Sequence, residues 1–412
     1  MRFFLLAGLL SLPLHAQTPF ALKPNDRVVF FGDSITDQRL YTTFAETYVA
    51  TRYPQAKISF IHSGWGGDTV NGGGGGPIDV RLWRDVIPYN PTLVTIMLGM
   101  NDARYRAFDP ALFDEYTKGY KHIVAVIKKQ LPGTRITLIQ PSPYDDVTRA
   151  PLFAGGYNQV LRRYSDFLKE LAATENLELA DLNTPVVAEL TKAFQADATA
   201  AARLIPDRVH PGPAGHLLMA KALLLDWKAP AIVSSVTIDA KRKVVLEETN
   251  THVSEVRSAG HGISWTQLDE ALPMPVNTSD PLTALALKSS NFTEALNRQP
   301  LKVQGLSAAS YTLQIEDQRI GSFDAAQLAS GINLAELPTP MAEQAALVHT
   351  LTLHHTGIHN ARWRQLQVPL QKHSSPELLD ALKALDVLET ALVADQRAAA
   401  QPKARHFALI PN

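Results

Sequence analysis

Between Arg27 and Leu182, five short apolar runs alternate with amphipathic stretches, and this alternation narrows the fold more than any other feature. The runs are RVVFFG, KISFIHSG, TLVTIMLG, TRITLIQ and LELADL. Each has the length of a strand, and several are β-branched, as in strands buried on both faces. Between them, RLYTTFAETYVATRY, FDEYTKGYKHIVAVIKKQL and YNQVLRRYSDFLKELAATE read as helices. In the second, Tyr116, Tyr120, Ile123, Val124 and Ile127 recur at helical spacing. Strand and helix in alternation predict an α/β fold, a parallel sheet with helices on both faces. PAGHLLMAKALLLDW closes it near Pro230.

Past Pro230 the pattern changes. AIVSSVTID, KRKVVLEET, VSEVRS and ASYTLQIED predict a smaller β-rich module over 231–337. Two long helices are expected in a tail over 338–412, opened by the cap-plus-proline pairs Thr339-Pro340 and Ser375-Pro376. In the second helix Leu378, Leu382, Leu385 and Leu392 form one stripe, expected in a core or against a partner, and a homo-oligomer through these helices fits that stripe.

At the other end, MRFF, an apolar run and HAQ make the pattern of a secretory signal over 1–16, cleaved after Ala16, with the first domain starting near residue 20. The expected location is secreted or periplasmic. The apolar run is too short to span a bilayer, and no later stretch supplies about 20 apolar residues. The 412 residues contain no cysteine, which excludes disulfides, thiol catalysis, cysteine-ligated metal and a lipid on a cysteine after the signal. A net charge of −1 with no basic run argues against nucleic acid as partner.

The polar and glycine residues collect at the carboxyl ends of the expected strands, where ligands of such sheets bind. Strand one ends in Gly32-Asp33-Ser34, strand two in HSGWGGDT, and strand three in Gly99-Met100-Asn101-Asp102, while DRVHPGPAGH precedes the closing helix. Ser34 can be read as a helix cap or as a nucleophile. A serine needs a base, and a histidine base needs a carboxylate to fix its tautomer. Asp207, three residues before His210, can supply both from one loop. The oxyanion that develops needs preorganised donors, and the amides of Ser34 and Gly67 with the Asn101 side chain are the candidates.

These four blocks, in this order over residues 27–230, resemble the SGNH (GDSL-type) hydrolases. The resemblance implies a three-layer α/β/α, flavodoxin-like domain with a five-stranded parallel sheet. It further implies ester hydrolysis through Ser34, His210 and Asp207, with Ser34, Gly67 and Asn101 as the oxyanion hole and no metal or cofactor. It says little about residues 231–412. Asp33, Trp65, Arg104 and Tyr105 are the candidate substrate contacts, the two aromatics as faces for a sugar and Arg104 for a polar or acidic group. The expected function is a secreted serine esterase removing O-acetyl groups from a polysaccharide or oligosaccharide. The alternatives are a lipolytic or aryl esterase, lysophospholipase or thioesterase, and a glycan-binding protein with an idle site.

The glycine run Gly72–Gly76 lacks the lysine of a phosphate loop and reads as a flexible loop beside Gly67. His355 and His359 are expected to be surface or packing residues rather than metal ligands. His216 belongs to the closing helix, and His62 to the end of the second strand.

Overall fold

The computed structural model describes residues 19–260 and 262–412. The expected signal segment, with its cleavage after Ala16, lies outside them. The five apolar runs form β1 (Arg27–Gly32), β2 (Ser59–Gly64), β3 (Leu93–Met97), β4 (Arg135–Ile139) and β5 (Glu178–Ala180). They join in the order β2-β1-β3-β4-β5, every pairing parallel. Val28 to Phe31 and Leu93 to Met97 are buried throughout, which is why these strands carry no polar alternation.

Helices α1 (Leu40–Arg52), α2 (Ile78–Asp85), α3 (Pro110–Gln130), α4 (Gly156–Glu175), α5 (Thr184–Ala196) and α6 (Pro213–Asp226) complete the three layers. The five residues spaced along α3 are its buried face. Pro110 starts it at the first helical position, and Asp109 caps it by accepting the Ala111 amide at 2.9 Å. Helix α6 is buried from Ala214 to Leu224, so it is apolar all round rather than striped.

The rest of the chain adds β6 (Ser235–Asp239), β7 (Val244–Thr249), β8 (Thr251–Ala259), β9 (Gly262–Asp269), β10 (Pro300–Gln304), β11 (Ser310–Ile315), β12 (Gln318–Asp324), β13 (Ile332–Asn333) and β14 (Arg405–Pro411). They build a sheet β8-β9-β14-β11-β12 and a smaller one, β13-β10-β6-β7. The longer helices that accompany them are α7 (Pro281–Ser289), α8 (Pro340–Asn360) and α9 (Pro376–Ala399), with short ones at Phe292–Leu296 and Ala325–Ser330.

The β-rich region and the two long tail helices are both present, and the structure adds an element to each. The tail is not helical to residue 412: β14 alternates buried Phe407 and Leu409 with more exposed neighbours and pairs between β9 and β11. The β-rich stretch 231–337 also carries helices, of which α7 and the short helix Phe292–Leu296 bury Ala286, Phe292 and Leu296 in the core of the first domain.

Of the two places expected for the tail histidines His355 and His359, surface or packing, the structure shows packing. His355 and His359 are buried and face acids, Glu46 and Glu389. Among the described residues, no helix is long and apolar enough to cross a membrane, and no group of three or more His, Asp or Glu side chains is arranged to hold a metal ion.

Candidate active site

Gly32 stands opposite both Gly64 and Met97, so β1, β2 and β3 end at one level and release their loops side by side. In the order 2-1-3-4-5 the switch point lies beside β1, and a ligand crevice opens there. A single helical turn, Ser34–Asp37, follows β1. Its cap is Asp33, which accepts the Ile35 amide at 3.0 Å. Ser34 is the first residue inside the turn, so its hydroxyl is not engaged in capping.

That hydroxyl meets the loop before α6. Ser34 Oγ lies 2.8 Å from His210 Nε2, and His210 Nδ1 lies 2.7 Å from Asp207 Oδ2. The other carboxylate oxygen of Asp207 accepts the amides of Val209 at 3.0 Å and His210 at 2.7 Å. The three-residue spacing thus folds into a turn that holds carboxylate and imidazole together, with Arg208 between them at φ 75°. Burial would raise the Asp207 carboxyl, but the His210 amide and imidazole and the Val209 amide outweigh it and hold it below its ordinary value. An ionised Asp207 accepts a hydrogen bond from Nδ1–H, which fixes the tautomer and leaves Nε2 free to accept from Ser34.

The other two loops face the same place. Gly67 is exposed at φ +77°, and nothing lies within 4 Å of where a Cβ would be, so its backbone conformation rather than space calls for glycine. A Cβ on neighbouring Gly66 would stand 4.0 Å from the Ser34 Cβ. Asn101 donates through Nδ2 to the Asp68 carbonyl at 3.0 Å, which leaves its second amide hydrogen free. Its Oδ1 accepts the Tyr105 hydroxyl at 2.8 Å. Buried Asp102 accepts the Val70 amide at 2.9 Å and so ties the glycine loop to the end of β3. Burial, with Asp102 and Asp68 nearby, pushes the Asp33 carboxyl up to about 7.

The candidate substrate contacts separate. Asp33 is buried and occupied by its cap, so it offers a substrate nothing. Trp65 is 5% exposed and covered by Arg364, so it presents no free face to a sugar. Arg104 is exposed near Glu115, 3.9 Å away. Tyr105 is 39% exposed, but its hydroxyl is committed to Asn101 and its ring lies against Tyr157, at 5.0 Å between centroids.

The glycine run is not a loose loop. Gly72 and Gly73 pair with Pro77 and Gly76, and a Cβ on Gly75 would fall 2.7 Å from the Trp65 ring. The indole therefore packs on bare backbone.

Sequence reasoning missed Arg81, which is buried, donates to Asp68 at 2.6 Å and to the Ser63 carbonyl at 2.8 Å, and pairs with Asp85. It also missed Trp363 and Arg364, which arrive at Trp65 from the tail. Arg81 sits at an ordinary helical position, and no short motif marks the other two.

Residues 30–218 match the profile of the GDSL-like lipase/acylhydrolase family. This part of the chain is a domain of that family, and the protein is a carboxylic ester hydrolase. Among curated proteins, an acetylxylan esterase of Geobacillus stearothermophilus is 27% identical over 221 residues, covering 48% of this chain and 92% of its own. Among solved structures, a gut microbial diltiazem-metabolizing enzyme is 29% identical with a TM-score of 0.85, covering 96% of this chain and all of that one. The likeness to it therefore includes the tail.

Proposed function

We propose that the protein is an exported O-acetylesterase acting on carbohydrate, with Ser34 as nucleophile. The observation that carries this reading is the hydrogen-bonded series Asp207–His210–Ser34 beside Asn101. Ser34 Oγ attacks the ester carbonyl while His210 Nε2 takes its proton, and Asp207 stabilises the imidazolium. The amides of Ser34 and Gly67 and Nδ2 of Asn101 receive the oxyanion; removing one such donor typically costs about 10²–10³ in rate. His210 returns the proton to the leaving alcohol, and water then releases the acid from the acyl-enzyme.

The acetylxylan esterase likeness supports an acetyl group on a sugar. The full-length likeness to a diltiazem-metabolizing enzyme favours a second reading, in which the substrate is a small drug-like ester. Acetate release from a panel of acetylated polysaccharides, with Ser34→Ala as control, tests the first. Full activity in a folded Ser34→Ala protein rules out the mechanism. A chain-length series of nitrophenyl esters that peaks at octanoyl or longer rules out the acetylesterase.

A further inference from the structure

The tail brings a cation to the loop that borders the nucleophile. Ala361–Gln367 continue α8 as a π-helix, a rare geometry that recurs at functional sites. Within it Trp363 is 1% exposed, meets Trp65 edge-on at 5.7 Å and donates to Asp85 at 2.6 Å. With Trp363 pinned, Arg364 lays its guanidinium on the Trp65 indole, 3.2 Å from the ring centroid. Trp65 leads directly into Gly66, whose Cβ position is 4.0 Å from the Ser34 Cβ. The guanidinium therefore overhangs the loop that borders the nucleophile.

Its neighbours are already neutralised. Arg81 pairs with Asp68 and Asp85, Arg84 with Asp85, and Arg362 with Asp386. Arg364 has no hydrogen-bond or ion-pair partner among the described residues. The field of Asp37 reaches it, but no ion pair joins them. A flat guanidinium held by stacking, with its in-plane donors free, has the geometry that receives a carboxylate in bidentate fashion.

We propose that Arg364 forms an anion subsite, binding a carboxylate on the alcohol part of the ester, so that the enzyme prefers acetylated uronates to acetylated neutral sugars. An acetyl group is too small to carry the charge, which places it on the sugar. One unpaired cation beside Asp37 suits a monoanion and leaves a phosphate dianion undercompensated. The subsite rests on the acetylesterase reading above.

Acetate release from a methyl glucuronoside and a methyl glucoside acetylated at the same position tests it, with wild type, Arg364→Gln and Arg364→Lys. A charge-assisted bond of about 1.5–3 kcal/mol corresponds to a loss of about 10- to 160-fold in kcat/KM on the uronate for Arg364→Gln. The glucoside should change by less than about threefold, and Arg364→Lys should fall between on the uronate. Fluorophosphonate labelling of Ser34 at the wild-type rate shows that the centre is intact in each variant. If Arg364→Gln fails to fold, the Lys variant decides alone, since it keeps the charge and loses the fork. An equal loss on both sugars, or none on the uronate, overturns the subsite while leaving the esterase standing. Wild type that cleaves nitrophenyl acetate but neither sugar overturns the sugar substrate and the subsite together.

Discussion

Tyr105 decides which end of the Asn101 amide faces the reacting carbonyl. Its hydroxyl donates to Oδ1, so Nδ2 is turned towards the Asp68 carbonyl and the open site. Burial pushes this phenol up to about 12, so it remains a donor across the working pH range. Losing a neutral hydrogen bond of about 0.5–1.5 kcal/mol should lower kcat in Tyr105→Phe by about 2- to 12-fold with little change in KM. In an Asn101→Ala background, itself slower by about 10²–10³, the same substitution should cost nothing more. Steady-state kinetics of the cycle check this, and additive losses would mean that Tyr105 acts elsewhere.

Asp33, next to the nucleophile in sequence, carries the opposite kind of information. Its folded value of about 7 lies above its ordinary 3.8, so its contribution to stability is present at acid pH and is lost as pH rises through about 7. Three units correspond to roughly 4 kcal/mol. Asparagine caps as well as aspartate. Asp33→Asn should therefore melt higher than wild type at pH 8 and similarly at pH 4, which thermal unfolding reads directly. Ser34, Gly67, Asn101 and the Asp207–His210 pair were legible as candidates because each sits in a short block at a strand end. Whether Ser34 or Asp33 caps the turn was not legible, since both are good caps and only the backbone path past Gly32 separates them. Trp65 misled for a related reason: an indole reads the same whether a sugar or an arginine covers it.

At the scale of elements, α8 and α9 dock on α1 through buried charge. Glu46 of α1 meets His355 of α8 at 2.5 Å, His62 of β2 at 3.0 Å and Gln396 of α9 at 3.0 Å, while Glu389 of α9 faces His355 and His359. Burial opposes charge on both Glu46 and His355, but their mutual attraction prevails, raising His355 to about 10 and holding Glu46 near about 2. His355 therefore stabilises fully below its unfolded value of about 6.5, and that stability fades as pH rises towards 10; Glu46 stabilises above about 4.5 and fades below.

Chemical unfolding should show a fall in stability between pH 6.5 and 10 that is absent in His355→Ala. That variant should itself lose about 3–5 kcal/mol at pH 6, because it strands a buried carboxylate. An unchanged pH profile would remove His355 from the docking. The starts of these helices were legible. Thr339 accepts the Ala342 amide at 3.1 Å, and Ser375 accepts the Leu378 amide at 3.2 Å, as cap-plus-proline pairs do. Their partner was not, since Glu46 lies 309 residues from His355 and looks like any helix glutamate.

At the scale of the molecule, the family domain packs directly on the rest of the chain. The Geobacillus relative has 92% of its length in a match that covers 48% of this chain, so in that protein little besides the matched region exists. In this chain the same region leans on residues beyond Ala229. Buried Arg52 donates to the carbonyls of Pro230 at 3.0 Å, Ile232 at 2.8 Å and Leu296 at 2.9 Å. Met274, Ala286, Phe292 and Leu296 belong to the core that contains α6, and Trp363 is a partner of Asp85.

A chain ending at residue 230 would leave the Arg52 guanidinium without two of its acceptors, Glu46 without His355, and an apolar wall open to water. It should be insoluble, or compact without fixed packing. A chain ending at residue 400 loses β14 from between β9 and β11, which leaves two separated pairs of strands and takes Phe407 and Leu409 out of the second core. It should unfold the module first while Ser34 still labels with a fluorophosphonate. Near-UV circular dichroism and the labelling rate distinguish the two truncations. A soluble 19–230 chain with native near-UV signal and wild-type labelling would show that the tail serves the substrate alone and not the fold.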